Sequence, residues 1–328
     1  MEAVFLPPHV FAEKTCLLRF NFSFGFDMNN SKVIGHAAAL FTTSVWGITY
    51  VSTKYLVGSF SPVEILMIRF CIAVSLLKLF VPQGIRFELS KEPFFALAGF
   101  SGICMYFVLE NTALTITSAS NVGIIVATAP LFTGILAAVV FKDRQVFSWQ
   151  FILGFMVSIT GIVMLSLKGS DFSIHPEGDL LVICAGIFWA VYSLTIKKIC
   201  SWNFNNIAVT RRAFLWGMLF ITPFMICSDL NTEDLSRYTD WKMWMNLLFL
   251  GAVASAVCFA SWNFAVKTIG AVKTSVYIYS GPAVTVIFAY FFLGEQLNII
   301  GICGCILATA GLVISSLRTG NTKTEEQV

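Results

Sequence analysis

The sequence predicts an all-α integral membrane protein, with ten transmembrane helices arranged as two inverted five-helix repeats. Three observations predict it. Hydrophobic residues make up 57% of the chain and charged residues only 12%, whereas a soluble domain carries about 25% charged residues because its surface faces water. The apolar residues gather into runs of about 20, the length that crosses a hydrocarbon core about 30 Å thick. The two halves also match each other at residues that two arbitrary apolar runs would not share.

The ten runs are Val33–Val51, Pro62–Phe80, Phe94–Leu114, Ala119–Phe141, Phe147–Leu167, Leu180–Ile196, Ile207–Cys227, Trp244–Val266, Ala271–Leu293 and Ile299–Leu317. The links between them are short and carry the polar and turn-forming residues. Ser61-Pro62-Val63-Glu64 reads as an N-cap followed by Pro at the first helical position. The link from the third run to the fourth is so short that the pair forms a tight hairpin. A barrel is excluded, because these runs are continuous and lack the alternation of barrel strands.

Lys and Arg in the links set the orientation. One side holds Lys14, Arg19, Lys32, Lys78, Arg86, Lys91, Lys142, Arg144, Lys197, Lys198, Lys267, Lys273, Arg318 and Lys323, fourteen residues in all. The other holds four: Lys54, Lys168, Arg237 and Lys242. Arg69, Arg211 and Arg212 fall inside runs. This bias places both termini in the cytoplasm of a cell-membrane protein. It divides the chain into a cytoplasmic segment 1–32, a first repeat 33–167, a linker 168–179, a second repeat 180–317 and a polar tail 318–328. Residues 1–27 lack the apolar core and cleavage site of a signal peptide. Met28 is a second candidate start, which would make 1–27 an over-extended gene model.

A shift of 143 residues carries Gly35 onto Gly178, Trp46 onto Trp189, Lys54 onto Lys197 and Arg69 onto Arg212. A shift of 152 carries Gly99 onto Gly251, Phe107 onto Phe259, Asn111 onto Asn263, Ala113 onto Ala265, Ala119 onto Ala271 and Pro130 onto Pro282. A shift of 150 carries Gly154 onto Gly304 and Gly161 onto Gly311. Each half holds an odd number of runs, so the second half enters the membrane from the opposite side. Inverted repeats of this kind open a midplane site first to one face and then to the other. A transporter uses such symmetry; a receptor or a structural membrane protein has no need of it.

Other classes fit poorly. The net charge of +3 gives no support for a nucleic-acid partner. Most of the nine Cys, among them Cys71, Cys104, Cys184, Cys258, Cys303 and Cys305, lie inside apolar runs. They form no Cys-x-x-Cys and have no His at ligand spacing, so they read as packing residues rather than as a zinc site or a disulfide framework. No phosphate-binding loop or metal-spaced His/Asp/Glu cluster suggests an enzyme or a cofactor. The expected partners are a small-molecule solute, a coupling proton and the lipid bilayer. A duplicated chain fits a monomer or a homodimer.

Val45-Trp46-Gly47 in the first run, Pro62 and Arg69 in the second and Ala129-Pro130 in the fourth form a pattern. Gly281-Pro282 and Phe292-Leu293-Gly294-Glu295 in the ninth run continue it, and Gly304 to Gly311 in the tenth closes it. Together they resemble the ten-span, EamA-type members of the drug/metabolite transporter superfamily, over about residues 33–317. Asp143-Arg144 departs from the pattern, where Gly-Glu would be typical. The resemblance implies a five-plus-five helical fold around a central cavity. It also implies secondary transport, usually export, of amino acids or other small metabolites. A nucleotide-sugar or phosphate-ester antiporter of the same fold is the nearest alternative, and a channel or a non-transporting membrane regulator a more distant one.

Arg69 and Arg212 lie about 10 Å deep at ~1.5 Å per residue, where charge is costly unless it faces the interior. They either line the cavity and bind a substrate carboxylate, or snorkel or pair with loop carboxylates to hold the repeats together. Glu110 is a coupling candidate, or a partner for Arg69; Glu64 reads as a helix-start residue. Trp46, Tyr50, Tyr106, Trp189, Tyr192, Trp262, Tyr277 and Tyr279 either line the cavity or fill gaps between helices. Asn111 and Asn263 either bind substrate or bridge helices. Pro130 and Pro282 each remove a backbone donor within a run and are the hinge candidates.

Overall fold

The computed structural model describes residues 28–117, 119–141, 148–166, 176–228, 236–293 and 299–316, and among these every regular element is helical. Residues 1–27, the Asp143-Arg144 pair and the polar tail from Arg318 onward lie outside the described residues. The first half contains α1 (Met28–Leu56), α2 (Pro62–Phe80), α3 (Glu92–Ala98), α4 (Tyr106–Ile116), α5 (Ala119–Val126), α6 (Ala129–Phe141) and α7 (Trp149–Ser166). The second contains α8 (Pro176–Cys200), α9 (Asn206–Cys227), α10 (Trp241–Leu248), α11 (Cys258–Ile269), α12 (Ala271–Val276), α13 (Gly281–Leu293) and α14 (Ile299–Ser316).

Two of the long rods are continuous helices that pass through a π-helical stretch. Gly99–Met105 joins α3 to α4, and Phe249–Val257 joins α10 to α11. The 152-residue shift superposes these two stretches almost completely, so both halves carry the same local widening. Among the described residues, Glu92–Ile116, Pro176–Cys200 and Trp241–Ile269 are the three helices long and apolar enough to cross a membrane by length and composition. Outward-facing side chains agree with a lipid surround: Leu79, Ile226, Phe291 and Ile299 are each more than 70% exposed. In water each would forgo ~1.5–3 kcal/mol of burial.

Helix starts follow the local chemistry. Ser61 and Glu64 form a reciprocal capping box at the head of α2, with Pro62 at its first position. The α8 helix begins at Pro176, four residues before the expected Leu180, because Pro favours the first position and Glu177 and Asp179 complement the helix dipole. The α1 helix likewise takes in the polar stretch from Met28, ahead of the expected Val33. At the tight hairpin, Lys54 Nζ donates to the carbonyls of Leu114 and Thr117 at 2.7 and 2.9 Å, capping the end of α4. The fourth and ninth runs are not single helices. The first is broken between α5 and α6 at Ala127-Thr128, and the second turns 3-10 at Tyr277–Ser280 between α12 and α13.

Most packing joins the two halves rather than staying within one. The α1 helix packs against α11 and α13, and α8 against α4 and α6. The α2 helix packs against Phe249–Val257, and α9 against Gly99–Met105. Two further couples, α2 with α9 and α7 with α14, join matching helices. Glycines allow these approaches: a Cβ on Gly99 would sit 2.6 Å from the Gly217 backbone nitrogen, and one on Gly311 2.5 Å from the Gly154 carbonyl. Matched glycines therefore mark backbone contact, the usual reason for small residues between membrane helices. The seven cysteines described are free.

One buried ion pair locks the halves at the head of α2. Glu64 Oε1 accepts from Arg237 Nη2 at 2.9 Å and from the Tyr238 hydroxyl, while Arg237 Nη1 donates to the Ser59 carbonyl at 2.8 Å. Burial and the neighbouring Glu64 raise the Tyr238 pKa above its ordinary value, so its hydroxyl stays a donor at physiological pH. Glu64 is thus both a cap and an anchor.

Candidate functional site

A cavity lies between the halves. Its walls come from α1 (Thr43, Trp46, Gly47, Thr49, Tyr50), α2 (Arg69), α4 (Tyr106, Phe107, Glu110), α5 (Gly123, Val126), α8 (Trp189), α11 (Phe259) and the second broken helix (Ile278, Gly281, Pro282). The cavity is partly open to the outside.

One wall is aromatic. Trp46 and Trp189, related by the 143-residue shift, meet edge to face with centroids 5.2 Å apart. Trp262 lies 5.1 Å from Trp46, and Tyr106 lies 4.9 Å from Trp189. Phe107 and Phe259, related by the 152-residue shift, are 5.9 Å apart. Edge-to-face rings at these distances add to simple burial. Trp46 Nε1 donates to the Ala254 carbonyl at 2.9 Å, which fixes its ring across the two halves. Trp189 Nε1 is buried and meets no acceptor among the described residues.

Two charged side chains, Arg69 and Glu110, also line the cavity. Arg69 is only 2% exposed. Its Nε donates to Ser255 Oγ at 2.9 Å, and its guanidinium carbon lies 4.5 Å over the Phe107 ring. Among the described residues it makes no ion pair, and its two terminal nitrogens meet no acceptor. Glu110 is 6% exposed; its Oε1 accepts from the Tyr106 hydroxyl at 2.9 Å, and its Oε2 has no donor among the described residues. Arg69 and Glu110 therefore share the cavity without touching.

Both hinge candidates stand at the breaks. Pro130 is the second residue of α6 and Pro282 the second of α13, where a missing donor costs the helix nothing. The α1 helix presses on the second break: Thr285 Oγ1 donates to the Gly47 carbonyl at 2.8 Å, and Thr43 Oγ pairs with Ser280 Oγ at 2.9 Å. A Cβ on Gly47 would meet the Gly281 carbonyl at 2.8 Å.

Four other candidates lie away from the cavity lining. Arg212, the repeat partner of Arg69, pairs with Glu92, which also accepts from Trp216 Nε1 at 2.8 Å. Asn263 bridges three helices, accepting from the Tyr192 hydroxyl and donating to Thr210 Oγ1, each at 2.9 Å. Asn111 Nδ2 reaches the Pro62 carbonyl at 3.4 Å. Tyr277 pairs its hydroxyl with His36 Nδ1 at 2.7 Å. The two arginines differ because the 152-residue shift carries Glu92 onto Trp244, so the second half offers no matching carboxylate to Arg69. Sequence reasoning missed Ser255, Thr43 and Ser280, which carry no signal beyond being small and polar. Glu92 sits at the head of a helix and gave no sign that it faces Arg212.

Comparison with known proteins completes the picture. The EamA-like transporter family model matches residues 33–167 and 176–317. The chain belongs to the EamA-like transporter family. It is a membrane transporter, not an enzyme, and the family lies within the drug/metabolite transporter superfamily. An uncharacterized transporter of Archaeoglobus fulgidus is 26% identical over 273 residues, covering 83% of this chain and 95% of that one. The transporter YyaM of Bacillus subtilis, also uncharacterized, is 27% identical, covering 86% and 93%. A "Probable terminal-alkyne amino-acid exporter" of Streptantibioticus cattleyicolor is 26% identical, covering 73% and 78%. A solved crystal structure with 18% identity superposes with a TM-score of 0.67 over 88% of this transporter and 97% of that chain. That likeness speaks for the fold alone.

Proposed function

We propose that this transporter exports amino acids or related small metabolites across the cell membrane by alternating access through the cavity between its halves. In this reading ten spans form two inverted five-helix repeats, 33–167 and 180–317, joined by a linker over 168–179, with both termini in the cytoplasm. The single observation that carries it is the cavity itself: both halves line it, and matching Trp and Pro residues stand at its walls and breaks. The couples of packed helices run in equivalent pairs, as a pseudo-two-fold axis in the membrane plane requires. The Streptantibioticus relative named as an amino-acid exporter supports the substrate class. Energy comes from an ion or solute gradient, and Glu110 is the carboxylate among the described lining residues that a coupling proton would use.

A nucleotide-sugar or phosphate-ester antiporter would need several cations converging on the cavity. Arg211 is taken up by the carbonyls of Val81 and Gln83, and Arg212 by Glu92, which leaves Arg69 alone. The test is counterflow in proteoliposomes. Vesicles loaded with an unlabelled amino acid should accumulate its labelled form saturably; a linear, ion-selective conductance with no counterflow would overturn the proposal.

A further inference from the structure

We infer that the cavity is built for a zwitterion with a large apolar side chain, its carboxylate held by Arg69 and its ammonium by Glu110. The inference rests on the transport reading and names the solute class more closely. Arg69 is a buried cation without a carboxylate in contact, an arrangement that costs several kcal/mol unless something repays it. Ser255 holds Nε and Phe107 holds the guanidinium face, which together fix the plane. The two terminal nitrogens are left over, and they form the fork that matches a carboxylate. Arg212 shows what the same position looks like when its charge is structural, because Glu92 fills it.

Glu110 has the complementary vacancy. Tyr106 occupies one oxygen and sets the carboxylate's orientation, leaving the other for a donor. Two opposite charges that line one cavity without forming an ion pair match a ligand carrying both charges in reverse. The rest of the lining, with Trp46, Trp189, Phe259, Val126 and Ile278, offers aromatic and aliphatic surface to a side chain and no further charge. Such a compartment rewards apolar area and rejects polar groups it cannot pair. The roles of Glu110 are compatible, since the oxygen that holds an ammonium can hold a proton on the return.

The test is binding to the purified full-length chain in detergent, measured by calorimetry with four probes. L-phenylalanine should bind. 2-Phenylethylamine, which lacks the carboxylate, and 3-phenylpropionate, which lacks the ammonium, should each bind at least about tenfold more weakly, as loss of a charged hydrogen bond implies. Glycine, which keeps both charges and loses the side chain, should also fall at least about tenfold. Glu110→Gln should weaken phenylalanine about tenfold and leave 3-phenylpropionate unchanged. Any analogue that binds as well as phenylalanine overturns the inference, as does counterflow of another solute with no phenylalanine binding. Phenylalanine binding without counterflow of any solute would instead sustain the inference and sink the transport reading.

Discussion

Replacing Arg69 with Gln is expected to lower solute counterflow by about 100-fold while the protein still inserts and purifies. The guanidinium fork would make two charge-assisted hydrogen bonds to a carboxylate, each worth ~1.5–3 kcal/mol, and a factor of ten costs ~1.4 kcal/mol. Gln keeps similar length and can still reach Ser255, so the helix contacts of α2 survive. Arg69→Lys should recover only part of the activity. It restores the charge but not the fork or the planar contact with Phe107. Uptake assays on matched amounts of reconstituted protein decide the matter; wild-type rates for Arg69→Gln would remove Arg69 from the solute path.

Glu64→Ala is expected to be the more damaging change to the fold. It strips the capping box from α2 and removes the Glu64 side of its buried pair with Arg237, whose side chain is 7% exposed. Breaking a buried pair by removing one partner costs ~3–5 kcal/mol. For a chain of this size that lowers the melting temperature in detergent by roughly 10 °C. A variant that melts with the wild type would show that water already reaches the pair.

The helical architecture was largely legible in the sequence because bilayer thickness and hydrogen-bond satisfaction leave few options for a run of 20 apolar residues. Matched prolines were legible too, since a residue without an N–H has few places to go. Pro130 and Pro282 do stand at breaks, although at the first turn of the second segment rather than in the middle of a helix. The assignment of charges was not legible. Arg69 and Arg212 are equivalent in sequence, and only the three-dimensional position of Glu92 separates a structural arginine from one facing the cavity. Asn263 was equally ambiguous, because a buried amide satisfies itself wherever neighbours such as Tyr192 and Thr210 happen to fall. Ser255 is a small residue whose importance exists only in its 2.9 Å contact with Arg69.

Alternating access through this cavity is tested most directly at Thr49, a buried lining residue on α1. In a variant with the nine native cysteines replaced and Thr49→Cys introduced, a membrane-impermeant thiol reagent would be applied to either face of sealed vesicles. The account predicts modification from both faces, with a bound solute slowing it on each. Modification from one face only, with and without solute, would contradict it.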